Sequence, residues 1–256
     1  MFINNFDPVA FTVFSIEIRW YSLAYIFGIL FGWLIIKKFL DKDQKYFKNL
    51  DDLLTYIILG IILGGRLGYV IFYNPQYYLS NFSEVFMIWE GGMSFHGGLI
   101  GVIIGTYIFS KKNHFNPYIF LDLISLVAPI GIFFGRVANF LNSELYGKET
   151  TVSWGVTFAK VDNVSRHPSQ LYEAGFEGII LFLILTILVK NNFLERKGFI
   201  SALFLVFYST FRFFIEFFRE PDLQIGYLLF NLTLGQILCL IFFSIGFFLL
   251  KKNERL

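Results

Sequence analysis

The sequence predicts an all-α integral membrane protein: a bundle of seven transmembrane helices, N-terminus outside and C-terminus cytoplasmic. Three observations carry that expectation. Over half of the 256 residues are hydrophobic and 35 are Phe, more apolar surface than a water-soluble domain of this length can bury. The apolar residues gather in runs of about 20, the length a helix needs to cross a bilayer. Lys and Arg then alternate between rich and poor connections, as the positive-inside rule requires.

The spans fall at about 18–38, 52–73, 94–110, 118–141, 170–189, 198–217 and 231–250. One set of connections holds Lys37, Lys38, Lys42, Lys45 and Lys48, then Lys111 and Lys112, then Lys190, Arg196 and Lys197, and finally Lys251, Lys252 and Arg255. The other set holds only Arg19, Lys148, Lys160, Arg166 and Arg219. The first set is therefore cytoplasmic, and loops 74–93, 142–168 and 218–230 face outward, with Trp89, Trp154, Tyr77, Tyr78 and Tyr146 in or beside them as interfacial aromatics. The whole chain, 1–256, reads as a single polytopic membrane domain without linker, repeat or low-complexity tract.

The stretch Phe2–Phe14 is too short to span and is expected along the outer interface. Asp7 and Glu17 precede the first apolar run, where a cleavable signal would carry Lys or Arg, so no signal peptide is read there. Near the outer end of the first helix stand Tyr21 and Tyr25, four apart, with interfacial anchoring as their default role. The second helix carries Gly64-Gly-Arg66-Leu-Gly-Tyr69; an arginine at that depth suggests a structural ion pair with Asp122, Glu173 or Glu177.

His96 lies in Gly-Gly-Met-Ser-Phe-His-Gly-Gly (91–98), at the outward start of the third helix. The positive end of the helix dipole favours a neutral ring, able to accept a proton or simply to hydrogen-bond a neighbouring helix. The fourth helix ends in Gly-Arg-Val-Ala-Asn-Phe-Leu-Asn-Ser-Glu (135–144). Arg136 and Asn139 are three apart and share a face. Arginine costs roughly 3 kcal/mol at membrane depth, so such residues at the end of a span point to use.

The fifth helix opens with Arg-His-Pro-Ser-Gln-Leu-Tyr-Glu (166–173); Glu173 and Glu177 are expected to serve structural hydrogen bonds. The sixth ends with Arg212, Glu216 and Arg219 on one face and Pro221 as the stop. An Arg212–Glu216 pair leaves an excess arginine there, and with Arg136 two or three guanidinium groups could converge on an anion such as a phosphate. Glycines four apart (Gly28 and Gly32; Gly60, Gly64 and Gly68; Gly97, Gly101 and Gly105; Gly131 and Gly135) suit close helix packing or close access for a lipid headgroup. Cys239 is the lone cysteine, and neither the cysteine count nor the His spacing suggests a metal site.

These segments, in order from about Phe6 to Gln236, resemble the prolipoprotein diacylglyceryl transferase family. The resemblance rests on motifs 64–69, 91–99, 135–144, 166–173 and 212–222. It implies catalytic roles for His96, Arg136, Arg212 and Glu216, and substrate contacts for Arg136, Asn139, Glu144, Tyr21, Arg66 and Arg219, with no metal and no cofactor. The implied reaction moves the sn-1,2-diacylglyceryl group of phosphatidylglycerol to the lipobox cysteine thiol of a prolipoprotein signal peptide, releasing glycerol-1-phosphate. It places the chain as a multi-pass protein of the bacterial cytoplasmic (inner) membrane with its site toward the outer leaflet, acting on membrane lipid and not on nucleic acid. Ser22, where a glycine is common, and Ser153-Trp-Gly-Val, where proline often precedes the tryptophan, depart from the family pattern. A small transporter or flippase is the main rival, but there is no internal repeat and the polar motifs gather at one end of the spans.

Overall fold

Apolar runs become helices, and charge marks their ends. The computed structural model describes residues 2–40, 43–72, 75–88, 91–189, 196–221 and 226–253, with the backbone alone at Phe72, Phe95, His96, Leu229 and Asn253. Of the residues singled out above, Lys42, Trp89, Lys190, Asp222, Arg255 and the His96 side chain lie outside the described residues.

The chain is mostly helical: α1 (Trp20–Leu40), the short α2 (Gln44–Phe47), α3 (Leu50–Phe72), the short α4 (Pro75–Ser80), α5 (Phe95–Lys112), α6 (Pro117–Leu141), α7 (Ser169–Glu173), α8 (Leu181–Val189), α9 (Phe199–Ile215) and α10 (Leu234–Asn253). A π-helical segment, Ala174–Ile180, joins α7 to α8. Lys37 and Lys38, Lys111 and Lys112, and Lys251 and Lys252 close α1, α5 and α10, while Asp51 and Asp52 open α3, each complementing the helix dipole. Among the described residues, five helices are long and apolar enough to cross a membrane: α1, α3, α6, the run from Ser169 to Val189, and α10. Helix α9, at 17 residues, is apolar but shorter. Phe27, Ile104, Leu183 and Phe248 are among many large apolar side chains left exposed, the surface that a lipid solvent calls for.

The chain forms two compact units. In the unit from Lys37 to Leu121, α3 and α5 meet glycine to glycine. A Cβ on Gly101 would fall on the Gly60 carbonyl, and one on Gly64 would stand 2.9 Å from Gly101 Cα. Backbones that close need small residues, so these glycines serve packing. Tyr46, Phe109, Phe115 and Phe120 build an aromatic cluster in the same unit.

The other unit takes in the residues up to Ile36 and from Asp122 onward. Leu126, Leu181, Leu185, Val189 and Ile200 are its buried apolar centre. Asp122 on α6 ties down the start of α9. Its Oδ2 accepts the Gly198 N–H at 2.6 Å and its Oδ1 accepts the Ser201 N–H at 2.8 Å and hydroxyl at 2.6 Å. A carboxylate at the positive end of a helix is stabilised there. Thr233 and Gln236 cap α10 reciprocally: the Gln236 N–H donates to Thr233 Oγ1 at 3.2 Å and the Thr233 N–H to Gln236 Oε1 at 3.1 Å.

The fold is not purely helical. The N-terminal stretch forms β1 (Phe2–Asn4), β2 (Val9–Val13) and β3 (Ile16–Arg19). Strands β2 and β3 pair as an antiparallel hairpin turned by Phe14 at φ 54°. Strand β1 runs parallel to β4 (Val156–Phe158), which pairs antiparallel with β5 (Ser165–Arg166). A segment too short to span satisfies its backbone by strand pairing instead. Phe140, Val156 and Phe158 fill a small apolar centre beneath this sheet.

Candidate active site

Buried charge concentrates where α1, α6, α7, α9 and α10 present their polar ends. At the end of α6, Ser143 and Leu145 both adopt left-handed backbone, at φ 60° and 54°, on either side of Glu144. Such conformations cost energy in non-glycine residues and persist where surrounding bonds demand them. Here the Glu144 N–H donates to the Asn139 carbonyl at 3.0 Å, and the Gln170 side chain donates to the Glu144 carbonyl at 2.6 Å. The Glu144 carboxylate thereby accepts the Tyr21 hydroxyl at 2.6 Å, and the Asn139 amide donates to the same hydroxyl oxygen.

Arg136 joins this group to a cluster of buried ions. Its Nη1 donates to Asn139 Oδ1 at 3.4 Å, and its Nε lies 3.0 Å from Glu173 Oε2. The other Glu173 oxygen accepts from Arg212 Nη1, whose Nη2 lies 2.6 Å from Glu216 Oε2. Glu216 also accepts the Thr233 hydroxyl at 3.0 Å and faces Arg219 Nη1 at 3.7 Å. Glu177 stands further back, 4.0 Å from Arg136 Nη2 and 3.8 Å from Arg212 Nη1. Glu173 and Glu177 are wholly buried. Three guanidinium groups thus meet three carboxylates in a largely buried cluster, where an unpaired charge would be costly.

The structure brings Tyr21, Arg136, Asn139, Glu144, Arg212, Glu216 and Arg219 into one connected network. Sequence reasoning passed over Glu173 as the carboxylate that joins the two arginines. Its place in the 166–173 motif was the available signal, but nothing in the spacing says that a residue 39 positions from Arg212 will meet it.

Two expectations need correction. Helix α9 stops at Ile215, well before Pro221, so Arg219 is not on its face. The chain tightens through i→i+3 bonds, with Phe218 N–H donating to the Ile215 carbonyl at 2.9 Å, and then pairs with residues 146–148. Lys148 N–H donates to the Phe218 carbonyl at 2.9 Å and Glu220 N–H to the Tyr146 carbonyl at 3.1 Å, which draws Arg219 into a bridge with Gly147. Arg66, for its part, is not paired with Asp122, Glu173 or Glu177. Its Nε donates to the Val85 carbonyl at 2.9 Å, while its two terminal nitrogens donate to the carbonyls of Glu84 and Gly91. It is a buried clamp on the segment that leads to α5, lying over the Tyr78 ring.

His96 sits in the first turn of α5, behind the N-cap Ser94, whose hydroxyl accepts the Gly97 N–H at 3.2 Å. On the loop side, Arg166 Nη2 lies 2.6 Å from Asp162 Oδ2 and holds that carboxyl below its usual range. Burial lowers the proton affinity of His167, whose Nδ1 is 3.1 Å from the Tyr172 hydroxyl; that hydroxyl accepts the Trp154 indole N–H at 2.8 Å.

Residues 8–251 match the family model described as prolipoprotein diacylglyceryl transferase. The chain belongs to the prolipoprotein diacylglyceryl transferase family. It is 52% identical over 253 residues to the phosphatidylglycerol–prolipoprotein diacylglyceryl transferase of Rickettsia bellii (strain OSU 85-389), covering 98% of this chain and 96% of that one. Proteins of the same description from Rickettsia felis (strain ATCC VR-1525 / URRWXCal2) and Rickettsia typhi (strain ATCC VR-144 / Wilmington) are each 48% identical, with 98% of both chains covered. Tyr21, Asn139, Glu144, Glu216 and Arg219 belong to the single network around Arg136 and Arg212.

Proposed function

We propose that the protein transfers the sn-1,2-diacylglyceryl group of phosphatidylglycerol to the lipobox cysteine thiol of a prolipoprotein, forming a thioether and releasing glycerol-1-phosphate. Family membership over nearly the whole chain supports this reading. The single observation that carries it at the site is the pair Arg136 and Arg212 around Glu173.

The sulfur attacks the glyceryl carbon, the C–O bond to phosphate breaks, and the thiol proton is lost as the phosphodiester monoanion becomes a monoester dianion. Charge therefore grows on the leaving group, and preoriented guanidinium forks stabilise it. Arg136 and Arg212 hold the phosphate, with Arg219 further out. Glu216 orients Arg212, and Tyr21, Asn139 and Glu144 meet the glycerol hydroxyls. His96 accepts the thiol proton, its helix-terminal position favouring the neutral ring. Arg66 acts through the loop it clamps.

In this reading the protein is one polytopic domain of a bacterial cytoplasmic membrane. Seven helices span the bilayer with the N-terminus outside, the lysine-rich helix ends face the cytoplasm, and the site opens toward the outer leaflet. The test is an assay of the purified protein with phosphatidylglycerol and a peptide bearing Leu-Ala-Gly-Cys, beside its Cys→Ser twin. A mass gain of one diacylglyceryl group on the thiol peptide alone is expected. Absence of that gain with folded protein would refute the reading.

A further inference from the structure

Among the three carboxylates of the cluster, Glu177 is the one without a hydrogen bond. Neither of its oxygens has a donor among the described residues, and its nearest cations are 3.8 and 4.0 Å away. Glu173, in contrast, lies 3.0 Å from Arg136 Nε and accepts from Arg212, and Glu216 is 2.6 Å from Arg212 and accepts from Thr233. The groups that face Glu177 come from every neighbouring element: Arg136 on α6, Arg212 and Tyr208 on α9, Glu216 and Arg219 just after it, and Cys239 on α10.

The cluster is electroneutral, with Arg136, Arg212 and Arg219 matched by Glu173, Glu177 and Glu216. A phosphodiester arriving on Arg136 and Arg212 brings one further negative charge beside Glu177, which is itself wholly buried. Desolvation and like charge both favour the neutral form of a carboxyl group. The carboxylate that gives way is the one whose charge is held least, since protonating Glu173 or Glu216 would forfeit close ion pairs with Arg136 and Arg212. We infer that Glu177 is the exchangeable counter-ion of the anion site, taking a proton from solvent when a phosphate diester settles between Arg136 and Arg212.

Glu177 is thus a positioning residue: it neutralises the arginines at rest and releases their charge to the substrate. The inference rests on the proposed phosphate role of the two arginines. A phosphodiester has no ionisation near neutral pH, so a proton taken up on binding belongs to the protein. The sign follows: a group whose proton affinity is raised by the ligand makes binding tighter at low pH and weaker as pH rises.

The experiment is calorimetric titration of the full-length purified protein with short-chain phosphatidylglycerol in buffers of different ionisation enthalpy, across pH. The wild type is expected to take up about one proton per lipid bound, with affinity falling up to roughly tenfold per pH unit above the transition. Glu177→Gln, neutral at every pH, is expected to bind the lipid with no uptake and a flat pH profile. A packing role for Glu177 would change thermal stability and leave the proton count unaltered. Lipid binding without proton uptake by the wild type, or full uptake retained in Glu177→Gln, overturns the inference while leaving the anion site standing. Absence of any lipid binding by the folded wild type overturns the anion site and this inference together. If Glu177→Gln does not fold, Glu177→Asp decides: the midpoint of uptake should move, and an unmoved midpoint counts against the assignment.

Discussion

Two kinds of inward-facing arginine, buried or part-buried, stand in this chain, and they are satisfied in opposite ways. Arg66 gives its nitrogens to backbone carbonyls of Glu84, Val85 and Gly91, so among the described residues its charge is met by main-chain dipoles. Arg136 and Arg212 face carboxylates, so their charge is cancelled by partners that another anion can replace. A guanidinium bound by main chain holds a loop in place, since the carbonyls cannot leave without unfolding it. One bound by side-chain carboxylates keeps its fork available for phosphate. The lesson is that burial of an arginine does not by itself announce a binding site; the chemistry of its partners does.

The largest expected effect tests the exchangeable arginines. Arg212→Lys keeps the charge but loses the fork that reaches Glu173 and Glu216 together, and turnover should fall about 10²–10³-fold, the scale of losing one preorganised donor. The peptide mass-gain assay at saturating lipid reads it. A full rate in that variant would dissolve the contrast with Arg66.

Next in size is the clamp. Arg66→Met should remove the charge-assisted hydrogen bonds to the carbonyls of Glu84, Val85 and Gly91, at about 1–3 kcal/mol each. Thermal unfolding in detergent should shift clearly downward, with faster amide exchange in residues 82–92. Lost turnover with unchanged stability and exchange would move Arg66 from clamp to substrate contact.

Glycine packing gives a third and smaller test. Gly101→Ala drives a methyl into the Gly60 carbonyl and should cost about 1–3 kcal/mol. Gly135→Ala meets nothing within 4 Å and should be neutral or stabilising, because alanine is the better helix former. Equal losses at both positions in thermal melts would contradict the close approach of α3 and α5.

The smallest effect lies in the loop. Asp162 is held below its usual range by Arg166, so the stability it lends is present above about pH 4 and is lost as pH falls through the lowered value. Asp162→Asn should differ from wild type by about 1 kcal/mol at neutral pH, since Asp162 is only part-buried and Arg166 keeps Glu149 and Glu220 as neighbours. The gap in unfolding temperature should close as the solution is acidified. A gap that widened on acidification would reverse the sign of this pair.

The positions of the long helices were legible because a bilayer demands long uninterrupted apolar runs. The pairing of Arg136 with Asn139 was legible because a helix places residues three apart on one face, and the 3.4 Å contact between them follows from that local geometry. The strands at Phe2–Asn4 and Val9–Arg19 escaped, since their pairing with distant or adjacent backbone is not encoded in hydropathy. The end of α9 escaped for a related reason. Pro221 marks where a helix must stop, whereas backbone pairing with residues 146–148 stops it earlier, at Ile215.

By itself, the sequence determined that this is a membrane protein of the family, where its helices run and which residues carry its motifs, because hydropathy and local spacing are properties of a contiguous chain. Tertiary structure alone decided the partners. Glu173 joins Arg136 to Arg212, Arg66 turns to carbonyls, and Glu177 is left with no hydrogen bond among the described residues. Buried charges must be compensated by whatever polar group the packing brings within reach, and that proximity exists only once the helices have come together.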